Sequence, residues 1–162
     1  MEKFYIVEKD SILAKDYLEY LAFSEKFTNL FENFAKENNI KADEFYLSTK
    51  RLWIKPKGQD YKNFEKSFLK SELGKFKINS PLNQKWVELC KENNLSKVIH
   101  RPYLPLYFNA LEGKCSSRLF KINDTIYCSF STDKNFKAPS GLKEIKGSEF
   151  YKAIEDDEQK RK

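Results

Sequence analysis

One histidine and three cysteines bound the nucleophilic and metal chemistry open to this chain. A thiol nucleophile needs a base within hydrogen-bond reach. His100 is the only imidazole, and its candidate partners are Cys115, in an expected polar loop, and Cys90, on an expected helix face. No nucleophile motif surrounds either thiol. Cys128 alternates with Ile126 and Phe130 and reads as core. Structural zinc takes about four Cys or His ligands, usually in close pairs, and these four residues are scattered. Asp43-Glu44 and Asp60 fit no Mg²⁺-ligand pattern, and no phosphate-cradling G-x-x-x-x-G-K-[ST] is present. The expectation is no catalytic residue, no metal and no cofactor, with an enzyme built around a pocket near His100 as the third functional reading.

Two stretches combine cations with flat rings. In the first, Lys50-Arg51-Leu52-Trp53-Ile54-Lys55, inward Leu52 and Ile54 would leave Arg51, Trp53 and Lys55 on the outer face beside Tyr46. Such a surface stacks bases and holds phosphate, or anchors a protein. The competing expectation is that a helix over 59–70 covers Trp53, as large aromatics are usually buried. The second stretch runs from Ile99 through His100, Arg101, Pro102 and Tyr103 to Tyr107, with Arg118 and Lys121 on the next strand. Function concentrates on loops of this kind, although its Tyr and Leu side chains could equally plug the sheet.

These residues need elements to hold them. Ile12–Phe34 carries Leu13, Tyr17, Tyr20, Phe23, Phe27, Leu30, Phe31 and Phe34 at steps of mostly three and four, which predicts a helix with one broad apolar face. Asp10 and Ser11 can cap its start, and Asn38-Asn39 can end it. A face this wide calls for a sheet to cover it. Lys3–Glu8 reads as an interior strand, apolar on both faces. Period-two patterns predict strand pairs at 44–48 with 51–55 and at 118–122 with 125–132, the latter joined by Asn123-Asp124. Helices are expected over 59–70, from Ser80-Pro81 to Asn93-Asn94, and after Ser148 as cap. A short strand fits 75–78. Pro102 and Pro105 argue against a regular helix between 97 and 117.

Hairpins rather than crossovers join these strands. The fold class is therefore α+β, a mainly antiparallel sheet packed against a long N-terminal helix and shorter helices. At 162 residues the expectation is a single domain over 1–155, with 156–162 as a charged tail. The net charge of +6 is uneven: −3 over residues 1–50, +9 over 51–121 and zero over 122–162. A basic middle attracts nucleic acid or an acidic protein surface, or is a solvated lysine-rich face. No stretch is apolar enough for a signal peptide or a membrane span. An odd number of unpatterned cysteines suits a reducing compartment, so the expected location is cytoplasmic.

Ile126-Tyr127-Cys128-Ser129-Phe130-Ser131-Thr132, followed by Lys146-Gly147-Ser148-Glu149-Phe150-Tyr151-Lys152, resembles small uncharacterised bacteriophage and prophage proteins. Phe45-Tyr46 and Leu52-Trp53-Ile54 fit the same order of segments. The resemblance implies a setting, a small protein made during infection that binds a macromolecule, and assigns no residue a role. The leading expectation is a non-catalytic binding protein that engages a protein partner through Tyr46, Arg51, Trp53, Lys55, His100, Arg101, Tyr103 and Arg118. Nucleic acid is the alternative partner, and no membrane is expected. An exposed hairpin edge could also pair two chains, so the oligomeric state stays open.

Overall fold

The computed structural model describes residues 1–54, 81–111 and 113–162. The expected helix over 59–70, the strand over 75–78 and Ser80 lie outside the described residues. Backbone contacts divide the chain into two units, Met1–Leu21 with His100–Lys162, and Ala22–Ile99.

The first unit is built on an antiparallel sheet of β1 (Glu2–Val7), β4 (Cys115–Ile122), β5 (Thr125–Thr132) and β6 (Leu142–Ile145), in the order β4-β5-β1-β6. The interior place of β1 follows from its being apolar on both faces. Register puts Tyr5 opposite Cys128 and Cys128 opposite Leu119, so one row of apolar side chains crosses the sheet. With Val7, Ile126 and Phe130 they bury Leu13, Ala14 and Tyr17 from the start of α1 (Ile12–Glu37), and Leu104 and Phe108 around α3 (Leu104–Tyr107). Phe108 stacks on Phe130 with centroids 4.4 Å apart, and Phe136 meets both rings edge-on. Such pairs add about 0.5–1.5 kcal/mol each beyond area burial. The opposite face takes α4 (Gly147–Lys160). Its buried Phe150 lies 4.8 Å from Phe4 and 5.2 Å from Phe120, ring to ring. The sheet is thus covered on both sides.

The second unit holds the rest of α1, the two-stranded sheet of β2 (Phe45–Ser48) and β3 (Arg51–Ile54), and α2 (Pro81–Glu92). Trp86 is its centre. The indole is fully buried, with Phe27, Phe31 and Phe34 5.3–5.6 Å away. A two-stranded ribbon alone is marginal in water. Here α2 secures it: Trp86 Nε1 donates to the Ser48 carbonyl at 2.8 Å, and the Leu52 N–H donates to Asn83 Oδ1 at 2.8 Å.

Several local expectations meet their elements. Ser11 Oγ accepts the Ala14 N–H at 3.1 Å and so caps α1. Asn39, Asn94 and Asn123 take positive φ at the end of α1, after α2 and in the β4–β5 turn, the conformation Asn tolerates best after Gly.

The differences have physical reasons. The sheet covers only the first part of the α1 face, while Phe31 and Phe34 bury against Trp86 and Leu52. A 26-residue helix is about 39 Å long at 1.5 Å per residue, longer than the sheet both along its eight-residue strands, about 26 Å, and across four strands about 4.8 Å apart. Pro105 stands in the first turn of α3, where its missing N–H costs nothing, so one helical turn forms in the stretch expected as loop. Cys115 opens β4 rather than lying in a loop. Strand β6 has only four residues and a mixed pattern. It is set by Gly141, at φ +93°, whose carbonyl accepts the Glu8 N–H at 2.7 Å. Lys146, not Ser148, occupies the N-cap position of α4. The helix continues to Lys160 through residues expected as tail, with Asp157 and Arg161 paired at 3.1 Å across one turn.

Candidate binding groove along the edge of β4

Among the described residues β4 pairs with β5 alone and forms one edge of the sheet. A groove of about 640 Å³ runs along it, lined by every residue from Ser117 to Ile122. Neighbouring strand side chains point to opposite faces. Six consecutive residues can therefore line one groove only if it follows the strand's backbone edge. The edge polarity follows from the hairpin. A two-residue turn makes Ile122 and Thr125 exchange both hydrogen bonds, and antiparallel alternation then turns the N–H and C=O of Ser117, Leu119 and Lys121 away from β5. Leu119 agrees: its carbonyl accepts from the Arg101 guanidinium and from the Tyr17 hydroxyl.

Two walls rise beside this edge. On the side of α1 and α3 stand Arg101, Pro102, Tyr103 and Leu104. Arg101 lies 5.7 Å from the centre of the Tyr17 ring, a cation–π contact. Burial pushes the pKa of the Tyr17 hydroxyl up, with Arg101 opposing. On the other side Ile154, Asp157, Glu158 and Arg161 project from α4. Arg118 lies over the Tyr151 ring at 5.9 Å. The groove thus gathers Arg101, Arg118, Lys121 and Arg161 against Asp157 and Glu158, with Tyr103 58% exposed at its mouth.

Of the residues singled out in the sequence, Arg101, Tyr103 and Arg118 line this one groove, together with Lys121. His100 is exposed and precedes the wall without forming part of its lining. Tyr46, Arg51 and Trp53 belong to the other unit, where register pairs Tyr46 with Trp53 and Ser48 with Arg51. Lys55 lies outside the described residues. Sequence reasoning misses Phe120, which shares a strand face with Arg118, and Asp157 and Arg161, which fall in the expected charged tail. An i,i+4 Asp–Arg pair inside 156–162 was the available signal.

Burial pushes the thiols of Cys90 to about 11 and Cys128 to about 12, so both are protonated at neutral pH and poor nucleophiles. Cys115 is exposed. Tyr107 donates to Asp16, and burial, with that bond and the carboxylate charge, raises its hydroxyl to about 12. Among the described residues no group of three or more His, Cys, Asp or Glu is arranged to hold a metal ion. No helix among them is long and apolar enough to cross a membrane.

No protein-family model, curated protein or solved structure was found to match the chain.

Proposed function

We propose that this chain is a non-catalytic binding protein, of phage or prophage origin, that engages a protein partner through the β4 groove. The observation that carries the reading is the meeting of cations and rings on a strand edge that no described strand covers. The backbone N–H and C=O groups there suit another polypeptide, which can complete the ladder. Arg and Tyr at the mouth are the residue types that concentrate interface energy. Asp157 and Glu158 on the α4 wall oppose a phosphate backbone but not a peptide of mixed character.

The test is capture from bacterial lysate by the wild type and by an Arg118→Glu/Lys121→Glu variant, both shown to be folded. A protein held by the wild type and lost by the variant is expected. Equal capture by both would remove the groove from the reading. Nucleic acid is the second reading, because Arg101, Arg118 and Lys121 stand beside Tyr103 and Phe120. Oligonucleotide binding that weakens with salt, and disappears in the variant, would put nucleic acid first.

A further inference from the structure

We infer that the groove accepts an extended peptide segment of alternating acidic and apolar residues, added as a fifth strand along β4. The inference rests on the protein-partner reading above and specifies what that partner presents.

The slot has the form of a missing strand. The chain flanks the sheet on both faces at this edge, with the irregular stretch 101–103 leading into α3 on one side and α4 on the other. The space between follows the backbone of Ser117–Ile122, about 17 Å of strand at ~3.3 Å per residue. The outward groups of Ser117, Leu119 and Lys121 lie at its base. The Leu119 carbonyl already accepts from a side-chain donor, Arg101, where a neighbouring strand would supply a backbone N–H.

The two walls differ in character, and an added strand would meet them with alternate side chains. Leu119 and Lys121 share the face of Arg101 and Tyr103, where the described lining of the groove holds two cations and no carboxylate. Arg118, Phe120 and Ile122 share the face of α4. There Arg118 and Arg161 are balanced by Asp157 and Glu158, and Phe120, Ile122 and Ile154 supply apolar surface. A strand with acids toward Arg101 and Lys121 and apolar side chains toward Phe120 and Ile154 complements both walls. The inverse, with basic residues on the first face, would set like charges together.

The probe is an acetylated and amidated peptide of about eight alternating glutamate and valine residues, long enough to span the slot at ~3.3 Å per residue. Binding is read by anisotropy of a terminal dye. Hydrogen exchange is read at the amides of Ser117, Leu119 and Lys121. Saturable binding is expected, weakened about tenfold or more in Lys121→Glu, with slowed exchange at those three amides. In an added strand all glutamate amides point one way and all valine amides the other. N-methylation of one set therefore abolishes binding, and N-methylation of the other leaves it.

Equal binding of both methylated peptides would overturn strand addition while leaving groove binding standing. A lysine–valine peptide that binds as well as the glutamate one would overturn the acidic assignment. A doubled molecular mass in the absence of peptide, reversed by Lys121→Glu, would assign the edge to a second copy of this chain instead. Lack of binding by the unmodified peptide, alongside lysate capture that still depends on Arg118 and Lys121, would overturn the inference and spare the reading beneath it.

Discussion

The two hairpins handle their outward backbone groups in opposite ways. In β2–β3 the outward Leu52 N–H is taken up by Asn83 of α2, while Trp86 of the same helix adds a bond to the Ser48 carbonyl, which by the two-residue-turn rule faces Arg51. In β4–β5 the outer edge meets a groove, and the Leu119 carbonyl finds its partners in the Arg101 guanidinium and the Tyr17 hydroxyl. The first arrangement gives an outward group of the edge a partner on a helix. The second leaves an edge between two walls. Both hairpins carry aromatic and basic residues, so composition alone does not separate them. What separates them is where the backbone hydrogen bonds go.

The largest test of this contrast is Trp86→Ala. It removes a fully buried indole and the bond it donates to the Ser48 carbonyl, with an expected cost of about 3–5 kcal/mol. Denaturant unfolding would measure the cost, and hydrogen exchange at Leu52 would show whether the ribbon is released. Trp86→Phe would keep most of the ring and isolate the polar part. Asn83→Ala is a narrower test. It strips the Leu52 N–H of its acceptor, at an expected cost of about 1–3 kcal/mol. A loss below a few tenths would mean that water replaces Asn83 and that the edge is less closed than described.

Alkaline titration compares the two cores. Each buried thiol has its folded pKa raised above the ordinary value of 9.0. Between 9 and the folded value the unfolded chain has lost the proton and the native chain keeps it. The thiol's contribution is therefore complete below about pH 9 and falls as pH rises, until about 11 for Cys90 and about 12 for Cys128. Cys128→Ala should flatten the alkaline loss of stability over the wider window, and Cys90→Ala over the narrower one. Stability curves at a series of pH values check both. The smallest expected effect on stability is that of Lys121→Glu, within about 0.5 kcal/mol because the side chain is exposed. A stability cost well above that would show that the residue is structural rather than a feature of an open groove.

Much of the scaffold was legible because it rests on short-range rules. The period-two run of β5, the interior character of β1 and the Asn-terminated helices all follow from residues a few positions apart. The extent of coverage of α1 was not legible, since a continuous apolar stripe does not say that two cores share it. Strand β6 was hidden because four residues, Leu142–Ile145, carry little pattern, and the contact that defines them runs from Gly141 back to Glu8. For the groove, Arg101, Tyr103 and Arg118 were visible as types. That they line one wall-flanked edge depends on the β4 register and on α4 running past Asp156, neither of which local spacing reveals. The last turn of α4 is wholly polar and so carries no packing signal, yet it supplies the Asp157–Arg161 pair of the wall.

The bond from Arg101 to the Leu119 carbonyl has a kinetic consequence. If a strand adds along β4 as inferred, its N–H competes for the Leu119 carbonyl with this guanidinium and with the Tyr17 hydroxyl, so association becomes an exchange with an opening step of its own. The observed rate should then rise with peptide concentration and level off at the rate of opening. Arg101→Ala should lift that plateau while shortening the lifetime of the complex, because the same guanidinium, once released from the carbonyl, is placed to hold an incoming carboxylate.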